Sequence, residues 1–480
     1  MKLIEYESFE KHQGLSKIKE IYKTAYSEDI RIDKHIRLLL DRLKDEVTFI
    51  SEFPYVDKVY RDSYYTYFSS KLKPYHRDCI RVSIFDGSID LDHYQDQTKY
   101  PDLYEKYLGF FVIRPIPAYP LGRSIFSPQA YTNDTEFLCC QTKSEVTSNG
   151  LKFNAIGFPY ASQNTETLSC AETTLWAVME YFSSRYAEYQ PILPSDIIST
   201  LRNISIERQL PSAGLDVAKL SYALKNFGFG TKIYSRRQFG DELDKIIGSY
   251  VESGIPIIVT LENGTIGHAC LCIGREKVDI SDVKNANIAD FDEFEKQFVF
   301  IDDNYPPYQL TSLKNPTCYY SDPRFQGCEI SNIIVPLYPK IYLEAHDAKT
   351  ASLNFFSDIN VNNIGDDKFL RCFLMSSRSF KDFFVKSNNN TNIAKDVVQQ
   401  FAMPKFIWVS ELIDKKDPGH NKVQHLLLLD ATELNQTAIQ PILLCMTGEQ
   451  LYTTNNGRLT KINLNSVASP FELITHNLNG

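Results

Sequence analysis

The chain has 480 residues, a length that suggests about two to four domains, and its 43% hydrophobic and 23% charged residues are the balance of an ordinary folded protein. A formal net charge of −9 argues against nucleic acid or an anionic membrane as the main partner. The opening stretch MKLIEYESFEKHQG lacks the basic, apolar and small-residue zones of a signal peptide, and no apolar run approaches the length that crosses a bilayer. Ten scattered cysteines, two of them adjacent (Cys139 and Cys140), form no disulfide framework, so a cytoplasmic protein with reduced thiols is expected.

In chain order, three regions are expected: residues 1–150, helical and then β-rich; 151–340, alternating helix and strand; and 341–480, α+β. In the first, IDKHIRLLLDRLKDEVTFI places Ile36, Leu39, Leu40 and Leu43 at helical spacing, predicting one helix over 32–50. From about Cys79 to Phe158 the pattern turns strand-like, with YLGFFVIRPIPAYPLGRSIF carrying Arg114 and Arg123. Arginines in such an apolar context serve either an anionic ligand or, more commonly, structural ion pairs.

In the middle region, ETLSCAETTLWAVMEYF reads as a helix with Ser169 as N-cap and Glu172 three residues on, a capping-box pattern. Leu175, Trp176, Val178, Met179 and Phe182 supply a buried face. Cys170 falls at the first helical position, where the macrodipole and free backbone N–H groups favour a thiolate. Further on, GLDVAKLSYALKNFGFG and DELDKIIGSYVESG are amphipathic helices closed by glycine, and IPIIVTLE, GHACLCIGRE and FVFIDD are strands. The acidic stretch EKVDISDVKNANIADFDEFEKQ predicts an exposed insertion. In the tail, FIWVSELID, VQHLLLLDA and IQPILLCMT are strand candidates and SNNNTNIAKD a polar loop. His420 and His425 there lack the cysteine or carboxylate spacing of a metal site.

A nucleophilic thiol needs a base and a group that orients the base. Strand alternation sends His268, Cys270 and Cys272 to one face. Asp302 directly follows a strand and can bond an imidazole, with Asp303 as the alternative. Gln163, upstream of Cys170, supplies an amide that with the Cys170 backbone N–H would form an oxyanion hole.

Gln163, Cys170 at a helix start, His268 on a strand and Asp302 at a strand end resemble, in that order, the papain-like cysteine peptidases. The closest flavour is the bacteriocin-processing peptidases that cleave after double-glycine leaders, with their free-standing relatives. GIPIIVTLENGTIGHACLCIG is similar to their histidine strand almost throughout, and GLDVAKLSYALKNFGFG resembles their middle helix. The resemblance covers roughly residues 155–310. Ala171 stands where those peptidases often carry glycine, the strand ends Asp-Asp-Asn rather than Asp-Pro, and the interval from Gln163 to Cys170 is slightly longer.

The resemblance implies an α+β fold whose papain-like core packs the cysteine helix on an antiparallel sheet bearing His268 and Asp302. Residues 151–340 would be the catalytic domain, with accessory regions on either side. It implies a cysteine peptidase acting on a peptide or protein substrate without cofactor or metal. The flanking regions would receive a partner protein or trigger. Because fold does not fix reaction, two other readings stand beside it. One is acyl transfer in the transglutaminase manner. The other is a silent papain-like binding or sensing module in a larger assembly, a defence system among the options.

Overall fold

A computed structural model describes residues 4–31, 35–133, 136–283, 286–416, 422–434, 437, 440–448, 450–455, 458–463, 471–474 and 477–478. Helices and antiparallel sheets are mixed along the chain, an α+β architecture. Among the described residues no helix is long and apolar enough to cross a membrane. The chain divides into two compact units, each built from several segments.

The first unit comprises residues 1–228, 258–273 and 298–334. One of its sheets has seven strands, in the order Glu5–Glu10, Val47–Tyr55, Cys79–Asp86, Tyr107–Ile113, Leu121–Phe126, Leu151–Tyr160 and Thr142–Ser148. Each neighbouring pair is antiparallel. The single helix expected over 32–50 is instead a short helix, Ile36–Arg42, followed by the strand Val47–Tyr55. The polar run Lys44-Asp45-Glu46 breaks the helical period, and Val47, Thr48 and Ile50 are β-branched residues that suit a pleated sheet. Gly157 sits where this sheet tolerates no side chain: a Cβ there would lie 2.0 Å from the Phe126 carbonyl oxygen.

The strands Phe298–Ile301, Gly267–Glu276 and Ile257–Glu262 are neighbours, in that order, in a further sheet, and the first unit holds them except for Ile257 and Gly274–Glu276. The helix Cys170–Arg185 is buried from Ala171 to Phe182 on every face rather than along one stripe. Burial on all sides places the helix in the centre of a core, and its buried polar residues have partners, Glu180 pairing with Lys58 at 2.8 Å. Its Thr174 hydroxyl donates to the Ala269 carbonyl at 3.2 Å, which fixes it against the strand carrying His268. On its other side, Tyr181 stacks on Phe158 with ring centroids 5.2 Å apart.

The second unit comprises 229–257, 274–297 and 335–480. Its sheet is an antiparallel meander through Lys368–Ser376, Phe406–Asp414, Lys422–Asp430, Ile442–Thr447, Gln450–Asn455 and Arg458–Asn463. The acidic stretch expected to be an exposed insertion is buried at its centre. Lys349 Nζ reaches Asp290 at 2.5 Å and Asp292 at 2.7 Å, and Phe291 joins the apolar core. Pairing with buried lysine is what lets these carboxylates leave water. Part of the expected polar loop SNNNTNIAKD is also ordered as the helix Asn392–Gln400, capped by the Thr391 hydroxyl.

Candidate active site

The cysteine helix begins where the sequence places it. Glu172 reaches back to accept the Ser169 backbone N–H at 3.2 Å, and its other oxygen accepts the Ser212 hydroxyl. The capping box thus fixes the first turn, and Cys170 opens it half-exposed. Eight of the ten cysteines are buried, Cys318 is exposed, and all ten are free thiols.

His268 is the second residue of its strand, and Asp302 follows directly after the neighbouring strand. The two meet with His268 Nε2 3.0 Å from Asp302 Oδ1. The Cys170 thiol lies near the imidazole and favours its charged form. With Nε2 committed to Asp302, Nδ1 is the ring nitrogen left for it. His268 is 5% exposed and Asp302 0%. Burial opposes the imidazolium, but the charge and hydrogen bond of Asp302, then those of Cys170, outweigh it and hold His268 well above its ordinary pKa. Burial would raise Asp302, yet His268 and the donated hydrogen bonds keep it below the usual carboxylate range.

Asp302 is surrounded by donors. Oδ1 also accepts the Asn304 backbone N–H at 2.9 Å, and Oδ2 accepts the Tyr319 hydroxyl at 2.7 Å and the Tyr320 hydroxyl. Tyr320 stacks on Phe325 with centroids 4.2 Å apart, and the His268 ring meets Phe325 edge-on at 5.6 Å. Sequence reasoning missed Tyr319, Tyr320 and Phe325. They lie in an irregular stretch with no period, and only the aromatic density of CYYSDPRF hinted at them.

Asp303 lies beside this pair but differs from it. Its Oδ1 is 3.8 Å from His268 Nε2, yet neither side-chain oxygen has a hydrogen-bond partner. Burial, the nearby Asp302 and more weakly Glu172 push its pKa up to about 7 against the opposing pull of His268. Of the two candidate orienting residues, Asp302 therefore makes the direct bond.

Gln163 belongs to the same network. Its Nε2 donates to Asn304 Oδ1 at 2.8 Å, so Asn304 ties both Gln163 and Asp302. The long interval to Cys170 closes on itself: Asn164 Oδ1 accepts the backbone N–H groups of Glu166, Thr167 and Leu168 at 2.8–3.0 Å. Arg114, offered by the sequence as an anion ligand or a structural partner, holds this segment. Its guanidinium donates to the carbonyls of Tyr119, Ser162 and Gln163. Arg123 pairs with Asp57 at 2.9 Å.

A cavity of about 440 Å³ borders the first turn of the cysteine helix, lined by Glu172, Ile197, Leu201, Gln209, Ser212 and Asp216 among others. His425 lies half-buried in the second unit, bonded to the Thr447 hydroxyl, and burial holds its pKa down to about 4. His420 lies outside the described residues. No family model matches the chain, and no curated protein matches it.

Proposed function

We propose that the chain is a papain-like cysteine peptidase that works in the cytoplasm and cleaves a peptide or isopeptide bond through Cys170, His268 and Asp302. The observation that carries the reading is the 3.0 Å bond between the buried His268 imidazole and Asp302, with the Cys170 thiol acting on the same imidazole. A thiol at a helix start, a buried base raised above its ordinary pKa and a carboxylate on the base's far nitrogen are the parts of a thiol nucleophile, in the right order of contact.

In this mechanism His268 takes the thiol proton, and Cys170 Sγ attacks the substrate carbonyl carbon. The oxygen gains negative charge and is received by the second N–H of the Gln163 amide and by the first-turn backbone N–H groups, which have no acceptor within the helix. His268 gives its proton to the departing amine as the C–N bond breaks, leaving a thioester. It then takes a proton from water, whose oxygen attacks the thioester carbonyl and releases the acid and the thiol. Asp302 keeps the ring oriented and balances the imidazolium charge. The cavity beside the first turn is the natural place for a substrate side chain, with apolar Ile197 and Leu201 on its wall. The unpartnered Gln209 Oε1 would accept a hydrogen bond there.

Product identification tests the reading. A proteome-derived peptide mixture is incubated with the chain and a labelled primary amine. New amino termini produced by the wild type and not by Cys170→Ala support hydrolysis. Amine-tagged products in their place favour acyl transfer, and neither product favours a silent binding module.

A further inference from the structure

Several buried carboxylates in this protein come with a dedicated cation. Glu252 lies against Arg275 and Arg371, and Asp290 against Lys349. Asp303 differs: it is 4% exposed, neither of its oxygens has a hydrogen-bond partner, and the cation beside it is the His268 imidazolium, 3.8 Å away and already bonded to Asp302. A carboxylate withdrawn from water without hydrogen bonds is costly, and its negative neighbours Asp302 and Glu172 add to the cost while His268 offsets part of it. The hydroxyl of nearby Tyr160, which feels the Asp303 charge, is also buried without a partner. One donor atom from each of His268, Asp302 and Asp303 lies within 4.8 Å of the others.

We infer that His268 Nε2 and the carboxylates of Asp302 and Asp303 form a binding site for a divalent ion of the zinc class, and that an ion bound there switches the thiol centre off. One imidazole nitrogen with two carboxylates is a borderline-to-hard donor set that suits such ions. The hydroxyls of Tyr319 and Tyr320 and the Asn304 N–H on Asp302 supply the outer hydrogen bonds that orient a ligating carboxylate. The site and the orienting bond exclude each other, because both need His268 Nε2.

Binding expels the Nε2 proton to solvent, and the ring's remaining proton stays on Nδ1. Nδ1 then has no lone pair to take a thiol proton. A ring held by a metal through Nε2 also does not surrender the Nδ1 proton to a leaving amine near neutral pH. The brake rests on the thiol reading, whereas the ion site does not.

The test uses the full chain stripped with a chelator. Cobalt(II), a coloured stand-in for zinc, is titrated into Cys170→Ala, with calorimetry using zinc alongside. One ion per chain is expected. Asp303→Asn in the same background should weaken binding by about tenfold or more. A melting temperature no lower than the parent's qualifies that variant, and Asp303→Ala replaces it otherwise. Binding that is unchanged by loss of Asp303, or that disappears in Cys170→Ala, overturns the site. Separately, zinc should slow alkylation of Cys170 in the wild type, a chelator should restore it, and Asp303→Asn should resist zinc. Cobalt binding with uniformly slow Cys170 alkylation would sink the thiol reading and spare the site. Fast alkylation without cobalt binding would sink the site alone.

Discussion

Asp302 and Asp303 are chain neighbours and both are buried, but Asp302 accepts hydrogen bonds from His268, Asn304, Tyr319 and Tyr320, whereas the Asp303 side chain accepts none. Their charges should therefore behave oppositely. The folded-state pKa of His268 lies above its unfolded value of about 6.5, so the imidazolium adds stability that is complete below that pH and fades as pH rises through the folded value. Nuclear magnetic resonance of the ring in Cys170→Ala should show it titrating well above 6.5. Adding Asp302→Asn should lower that value by about 1 pH unit or more; an unchanged titration would remove Asp302 from its role. For Asp303 the sign reverses. Its folded pKa of about 7 exceeds the unfolded value near 4, so keeping it buried costs nothing in acid and most above pH 7. Asp303→Asn in chelator should stabilise the chain by on the order of 4 kcal/mol at pH 8 and leave it nearly unchanged at pH 4. Equal effects at both pH values would contradict the assignment.

The elements around the site were legible to different degrees. The cysteine helix could be placed from Ser169 and Glu172 because a capping box is a local signal. The histidine strand could be placed from alternation at His268, Cys270 and Cys272. The segments that steady those elements could not, because their contacts join distant parts of the chain. Arg42, at the end of the helix Ile36–Arg42, donates to the carbonyls of Pro306, Pro307 and Tyr308, just beyond Asp302. The Tyr308 hydroxyl in turn donates to the Phe126 carbonyl at 2.7 Å and accepts the Phe158 N–H at 2.9 Å. A residue from the first tenth of the chain thus braces the turn that follows Asp302, and no spacing rule reveals it. Arg42→Met should cost about 1–3 kcal/mol in denaturant unfolding, since it strands carbonyls that folding took from water. Amide exchange over 303–308 should quicken with it. Unchanged exchange there would mean the turn stands without Arg42.

At the scale of the molecule, burial of charge separates what stabilises from what decorates. In the second unit Glu252 lies against Arg275 and Arg371, while Arg371 also reaches Glu411 at 2.7 Å. Burial would raise Glu252, but the two arginines bring it down to about 2. Its stabilisation is present above the unfolded value near 4.3 and is lost as pH falls toward 2. Removing one partner leaves a buried charge uncompensated, so Arg371→Met should cost about 3–5 kcal/mol. Lys152→Met breaks a surface pair with Glu145 and should change stability by less than about 0.5 kcal/mol. Comparable losses from both, read by chemical denaturation of the full chain, would contradict this ranking. The α+β class was readable from the alternation of helical and strand periods. The burial of Asp290 and Asp292 was not, because composition alone does not reveal that Lys349, far along the chain, arrives to pair with them.

The claim on which the rest depends is that Cys170 is a nucleophile activated by His268. Cys318 provides an internal reference, since it is the more exposed thiol. Iodoacetamide capture at each cysteine, timed by mass spectrometry in metal-free buffer, measures the difference directly. Cys170 should react about tenfold faster than Cys318 or more, and His268→Ala should abolish that excess. A Cys170 rate at or below that of Cys318, or an excess that survives His268→Ala, would contradict the account.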